Sequence, residues 1–148
     1  MNEGKVRALV AAMDTANSAQ AENAWSQLRD LGESVVPFLA EAYPRFRKAQ
    51  GLVALVFHAI RHARTSEAAF QLGLSALQDR ATLVRYRACG LLAYSLRQDA
   101  IPHLEGLLNH ADDKTIADAR AAIDAIRNQN HHYFVDRNHS GRSFWQVN

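Results

Sequence analysis

The sequence predicts an all-α protein: about seven helices stacked as a short α-solenoid and closed by a small C-terminal β-hairpin. Three observations carry this. Apolar residues recur at helical spacing along most of the 148 residues. Only 7 Gly and 3 Pro interrupt them, which favours long regular elements. The last stretch, HHYFVDRNHSGRSFWQVN at 131–148, breaks the pattern with aromatic side chains around a polar turn. A hydrophobic content of 48% suits one globular domain with a real core, 1–130 forming the stack and 131–148 its cap.

Val6, Leu9, Val10 and Met13 fall at i, i+3, i+4 and i+7, one face of a first helix. Ala21, Ala24, Trp25, Leu28 and Leu31 make a second stripe, ended by Gly32. Ser34 is placed to cap a third helix, VVPFLAEAY, which tolerates Pro37 in its first turn and stops at Pro44. From Lys48 to Arg64 the chain is apolar nearly all round, which reads as a central buried helix; LVALVF within it could also form a strand. Ser66 caps the next helix, through Leu77, and residues 81–96 give another. Asp99 caps AIPHLEGLL, and Ile116, Ala119, Ile123 and Ile126 stripe a last helix from about Lys114 to Arg127.

Two segments look like copies. SVVPFLAEAY at 34–43 aligns with DAIPHLEGLL at 99–108, matching Ser34 to Asp99, Pro37 to Pro102 and Leu39 to Leu104. Ser66 sits midway, so helix pairs recur at a period near the low end for helical solenoids. A helix pair cannot bury its apolar face alone, and stacking supplies the missing wall. An irregular helical bundle is the alternative.

The segment LVRYRACGLLAYSLRQDAIPHLEGLL, 83–108, resembles a HEAT repeat of the short bacterial type. It has the Val84-Arg85 pair, small residues Ala88 and Cys89 mid-helix, and Ala100-Ile101-Pro102 opening the second helix. The likeness is fair over 21–43 and weak over 48–77, where the proline is absent. The resemblance implies a right-handed solenoid. It also implies that Arg85 bonds an acid of a neighbouring repeat, with Asp118 or Asp124 as candidates. Small stacks of this kind occur in bacteria as immunity proteins of toxin systems and as accessory subunits.

The net charge of +2 hides a pattern. Residues 1–44 carry net −3, 45–97 net +7, 98–136 net −4 and 137–148 net +2. The basic third holds Arg45, Arg47, Lys48, Arg61, Arg64, Arg80, Arg85, Arg87 and Arg97. Arginine favours bidentate recognition of carboxylate or phosphate. The expected partner-binding residues are Arg45, Arg47, Lys48, Arg61, Arg64, Arg80 and Arg87, joined from the tail by Arg137, Arg142 and Trp145. An acidic protein surface is the expected partner. Nucleic acid is the alternative, disfavoured by the acidic flanks, which would repel a duplex.

Reaction chemistry finds little support. His58 and His62 share a helix face at metal-ligand spacing, but Ala59 stands where a zinc protease has its glutamate, and no third ligand is near. His131-His132 reads as a solvated linker. Asp136, Asn138, Ser140 and Gly141 match the start of an EF-hand loop, yet Val147 replaces the closing glutamate. Cys89, the one cysteine, lies in an apolar run and reads as a core residue. There is no phosphate-binding glycine loop and no nucleophile elbow. The expectation is a non-enzymatic protein-binding module without metal or cofactor. Glu3 and the short apolar run Ala8–Met13 do not make a signal peptide, and no apolar run would span a bilayer, so a cytoplasmic protein is expected. The tail reads as a hairpin lid: YFV and SFWQV are rich in strand formers, and Tyr133, Phe134, Phe144 and Trp145 would cover the last helix.

Overall fold

The computed structural model describes residues 1–148 and contains eight α-helices joined by short 3-10 turns, with no strand. The helices are α1 (Glu3–Ala11), α2 (Ser18–Ser26), α3 (Val36–Ala42), α4 (Ala49–Ala59), α5 (Glu67–Ala76), α6 (Thr82–Ser95), α7 (Ile101–Glu105) and α8 (Asp113–Arg127). None is long and apolar enough to cross a membrane.

Local chemistry explains most boundaries. Asn2, Asn17, Ser66 and Asp112 each accept a backbone N–H of the first turn that has no helical partner. Pro37 and Pro102 lie at the starts of α3 and α7, where a missing N–H costs nothing. Two expected caps act otherwise. Ser34 donates to the Leu31 carbonyl, and the Asp99 carboxylate is taken by Arg97.

Helices α4, α6 and α8 pack side by side in one row, which α2 extends through the stacking of Trp25 on His58. Helices α1, α3 and α5 form a second row behind it. The rows share one core of 35 buried apolar residues. Close approach needs small residues: a Cβ on Gly51 would stand 2.9 Å from the Met13 carbonyl oxygen.

The turns at both edges are tied to their neighbours by hydrogen bonds that span 27 to 36 residues. On one edge the Asp14 carboxylate accepts the backbone N–H of Arg47 (3.1 Å) and Lys48 (2.8 Å), and the Tyr43 hydroxyl donates to Asp79. Farther along, Asp112 accepts from Thr82 at 2.7 Å and from Arg85 at 2.9 Å. On the opposite edge Thr65 donates to Glu33, Arg97 to Glu67, Arg64 to the Tyr94 carbonyl and Gln129 to the Leu96 carbonyl.

Arg85 is buried, and its ion-pair partner is Asp112 instead of Asp118 or Asp124. It also donates to Thr115, Thr82 and the Asp79 carbonyl, so the charge is enclosed by acceptors from the turn entering α6 and the start of α8. Hydrogen bonds from Thr82 lead the causes that hold the Asp112 carboxyl down at about 2.

The C-terminal β-hairpin is absent. Residues His131–Phe134 form a 3-10 turn, and the rest of the tail runs without strand pairing. The reason lies in where its polar groups go. Asn130 caps the turn by accepting the His132 N–H, and the Asp136 carboxylate accepts from Ser140 and Gly141. The N–H and C=O of Trp145 bond to histidine rings, leaving no ladder for a second strand. Phe134 is buried against Tyr86 and Trp145, and Trp145 reaches Gly90 and Tyr94 of α6, while Phe144 is 73% exposed. The tail therefore covers α6 as well as α8.

Replacing Arg85 by Ala is expected to cost about 3 kcal/mol, because it removes a buried guanidinium that bonds Asp112, Thr115, Thr82 and the Asp79 carbonyl at once. Urea unfolding of the variant against the parent measures this, and an unchanged midpoint would contradict it.

Candidate functional site

The arginine belt does not form one surface. Helix α4 has 11 residues, so its ends lie about 16 Å apart. That length separates Arg45, Arg47, Lys48 and, on the next turn, Arg80 from Arg61 and Arg64 on the opposite edge. Arg45, Arg47, Lys48 and Arg80 are exposed. The chain's arginine–carboxylate pairs use Arg7, Arg29, Arg85, Arg97, Arg127 and Arg137 instead.

Several expected partner-binding groups are engaged within the chain. Arg64 lies 3.9 Å over the Tyr94 ring, donates to the Tyr94 carbonyl at 2.7 Å and reaches His131 Nδ1 at 3.1 Å. Arg137 pairs with Asp118 at 2.9 Å and donates to the Phe134 carbonyl. Trp145 is half-buried on α6. Arg61 and Arg142 are exposed.

Arg87 stands apart. It projects from the middle of α6 on the outer side of the first row, between the rings of Phe57 (4.9 Å) and Tyr86 (5.2 Å). Its buried Nε has no hydrogen-bond partner. Aromatic faces compensate a cation in part, but an unmade bond from a buried donor costs about 1–3 kcal/mol. The Nε itself is enclosed, so only the terminal nitrogens of this half-buried guanidinium are placed to meet an acceptor outside the chain.

Around Arg87 lies a cleft of about 450 Å³ between α2, α4 and α6, lined by Ala21, Val53, Ala54, Phe57, Leu83 and others. Phe57 is 48% and Leu83 54% exposed, high values for large apolar side chains on two helices of the core row. A second groove of about 390 Å³ shares Glu22, Phe57 and His58 with the first and continues over Trp25, Ile60 and Arg61. Its far wall is the tail itself, Trp145–Asn148. These grooves run along one face.

Phe57 and Leu83 are the site residues that sequence reasoning missed. Helix α4 was expected to be buried all round. Its Val53, Ala54 and Phe57 instead face the cleft, and Leu52 is only half-buried. The signal was present as an excess of apolar positions over what one helix face can bury.

The remaining candidates have structural explanations. His58 stacks on Trp25 at 3.8 Å, and burial, helped by Arg29 and Arg61, pushes it down to about 4. No three His, Cys, Asp or Glu side chains converge as a metal site would require. The Asp136 oxygens point at the Ser140 and Gly141 donors of their own loop. Burial pushes the Cys89 thiol up to about 12, which keeps it protonated. His131 and His132 are not a solvated linker: both rings are half-buried and bonded to Trp145.

Set against protein-family models, curated proteins and solved structures, the chain matches none of them.

His58 makes stability depend on pH. Its folded value lies below the ordinary 6.5, so the unfolded chain takes up the proton first. Stability present above pH 6.5 is expected to fall by up to about 3 kcal/mol as the pH drops toward 4. His58→Phe keeps an aromatic ring on Trp25 without titrating. The gap between urea midpoints at pH 7.5 and 4.5 is expected to narrow in that variant, and a parent whose midpoint does not change with pH would contradict the assignment.

Proposed function

We propose that the chain is a HEAT-like helical-repeat module that binds another protein without catalysing a reaction, and that its docking face is the outer side of the first row. The observation that carries this reading is Arg87, a cation held between two aromatic rings with a buried donor unpaired, in a cleft whose large apolar side chains are open to solvent. The recurrence of inter-turn hydrogen bonds at 27 to 36 residues supports the repeat reading. The partner that fits is a protein segment placing an apolar side chain between Phe57 and Leu83 and a carboxylate on Arg87. Burying an aromatic or aliphatic anchor beside a desolvated Arg–carboxylate pair is the usual composition of an interface hot spot. As extended by the resemblance, the partner is a toxin that the chain neutralises in the cytoplasm, or an enzyme that it accompanies.

A second reading has one observation in its favour. Arg45, Arg47, Lys48 and Arg80 are exposed on one edge and could follow nucleic-acid phosphates. Asp14 precedes this patch on the same edge, and Asp112 and Asp113 come after it, so it spans only two turns.

A photo-crosslinking residue at Leu83, used in a lysate of the source organism with and without nuclease treatment, tests the choice. One protein is expected to crosslink stoichiometrically and to survive moderate salt. Adding Arg87→Ala should weaken capture by about tenfold or more, as losing a charged hot spot does. Recovery of nucleic acid alone, released by moderate salt and lost on replacing Arg47 and Arg80, would overturn the protein-binding reading.

A further inference from the structure

The tail wall of the docking face is held by two histidines in a way that fixes their protonation. The Trp145 N–H donates to His132 Nδ1 at 2.9 Å, so that nitrogen carries no proton. The Trp145 carbonyl can only accept, so His131 Nε2 donates to it, also at 2.9 Å. Arg64 can only donate, so His131 Nδ1, 3.1 Å away, accepts. His132 Nδ1 must be bare for the Trp145 N–H bond to form, and His131 Nδ1 must be bare for the Arg64 bond beside it.

We propose that His131 and His132 form a proton-operated latch: neutral, they hold residues 143–148 across the docking face, and protonated, they release the segment and uncover the groove over Trp25, Ile60 and Arg61. A proton on His132 Nδ1 would set two donors face to face and break the Trp145 N–H bond. A proton on His131 Nδ1 would remove the acceptor of Arg64 and place an imidazolium against a guanidinium. The groups facing these rings offer no compensation. From the turn after α4 comes the Arg64 cation; from α6, the Tyr94 ring, edge-on at 5.1 Å; from the tail, Phe144. The nearby carboxylates are engaged elsewhere, Asp124 with His139, Asp118 with Arg137 and Asp136 with its own loop. Burial, and then the His132 and Arg64 neighbours, hold His131 below its ordinary value, against the opposing pull of the Trp145 carbonyl.

The direction is set by linkage. His131, held down when docked, binds its proton more readily once undocked, so docking is strongest above the undocked value of about 6.5 and weakens as the pH falls below it. Each histidine whose proton uptake requires undocking lowers the docking constant by up to about tenfold per pH unit in that range. The consequence for partner access rests on the proposed docking face; the latch itself does not.

The test therefore needs no partner. Hydrogen exchange of the Trp145 backbone amide, corrected for intrinsic rate, is followed by NMR from pH 7.5 to 5.5, together with the ring resonances of the histidines. Protection is expected to fall by about tenfold or more, with a midpoint shared by the His131 or His132 ring titration and with α-helix signals unchanged. The double variant His131→Gln, His132→Asn supplies a non-titrating donor and acceptor in similar places, and should keep its Trp145 protection at pH 5.5. Protection in the parent that does not change with pH, or that is lost at a midpoint unrelated to either ring, overturns the latch. Should the double variant fail to dock its tail at any pH, the parent titration alone decides. Failure of the Leu83 crosslink would overturn the docking reading and leave this result standing.

Discussion

The structure depends on α6 being packed on all sides but one. It touches α4, α5, α8 and the tail, and nine of its fourteen residues are buried. A helix so enclosed has little solvent face to absorb misfit, so its middle is built from Ala88, Cys89 and Gly90, which let neighbours come close. The one large charge it buries, Arg85, is surrounded by acceptors from adjoining turns. Where α6 does meet solvent, at Leu83 and Arg87, it lines the proposed docking face. Core and candidate site are thus two sides of the same helix.

Features set within a few residues were legible in the sequence. Ser66 caps as expected because an N-cap bond reaches only two or three residues. Pro37 and Pro102 start helices for the same local reason. The turn at Asp136–Gly141 was also legible, since Asp, Ser and Gly make that loop among themselves. The path of residues 142–148 was not. Phe, Trp and Val favour strands because they pack well on a flat surface, and here Trp145 packs on a helix instead. Its backbone partners are His131 and His132, fourteen and thirteen residues earlier, a pairing that strand propensity does not encode.

The candidate site shows a related limit. Nearness in sequence gathered nine basic residues into one belt, but a helix of 11 residues carries its two ends to opposite edges. Composition also cannot tell a helix face covered by the core from one left open. Val53 and Phe57 look no different from Leu55 and Val56, yet the first two line the cleft and the last two are fully buried. Arg87 was named from charge alone. Its importance comes from the lack of an acceptor, which only the folded arrangement reveals.

The bonds that run between edge turns have a consequence for how this chain could change over time. The carboxylate of Asp14 serves the turn entering α4, and that of Asp112 serves the turn entering α6. Excising one helix pair would therefore damage two junctions at once, stranding a carboxylate on one side and bare amides or an arginine on the other. Units coupled in this way cannot be shuffled, duplicated or trimmed one at a time without matching substitutions in their neighbours. Variation has freer play in the outward-facing side chains of α2, α4 and α6, where a changed residue alters what the surface can hold and leaves the interlocking turns intact.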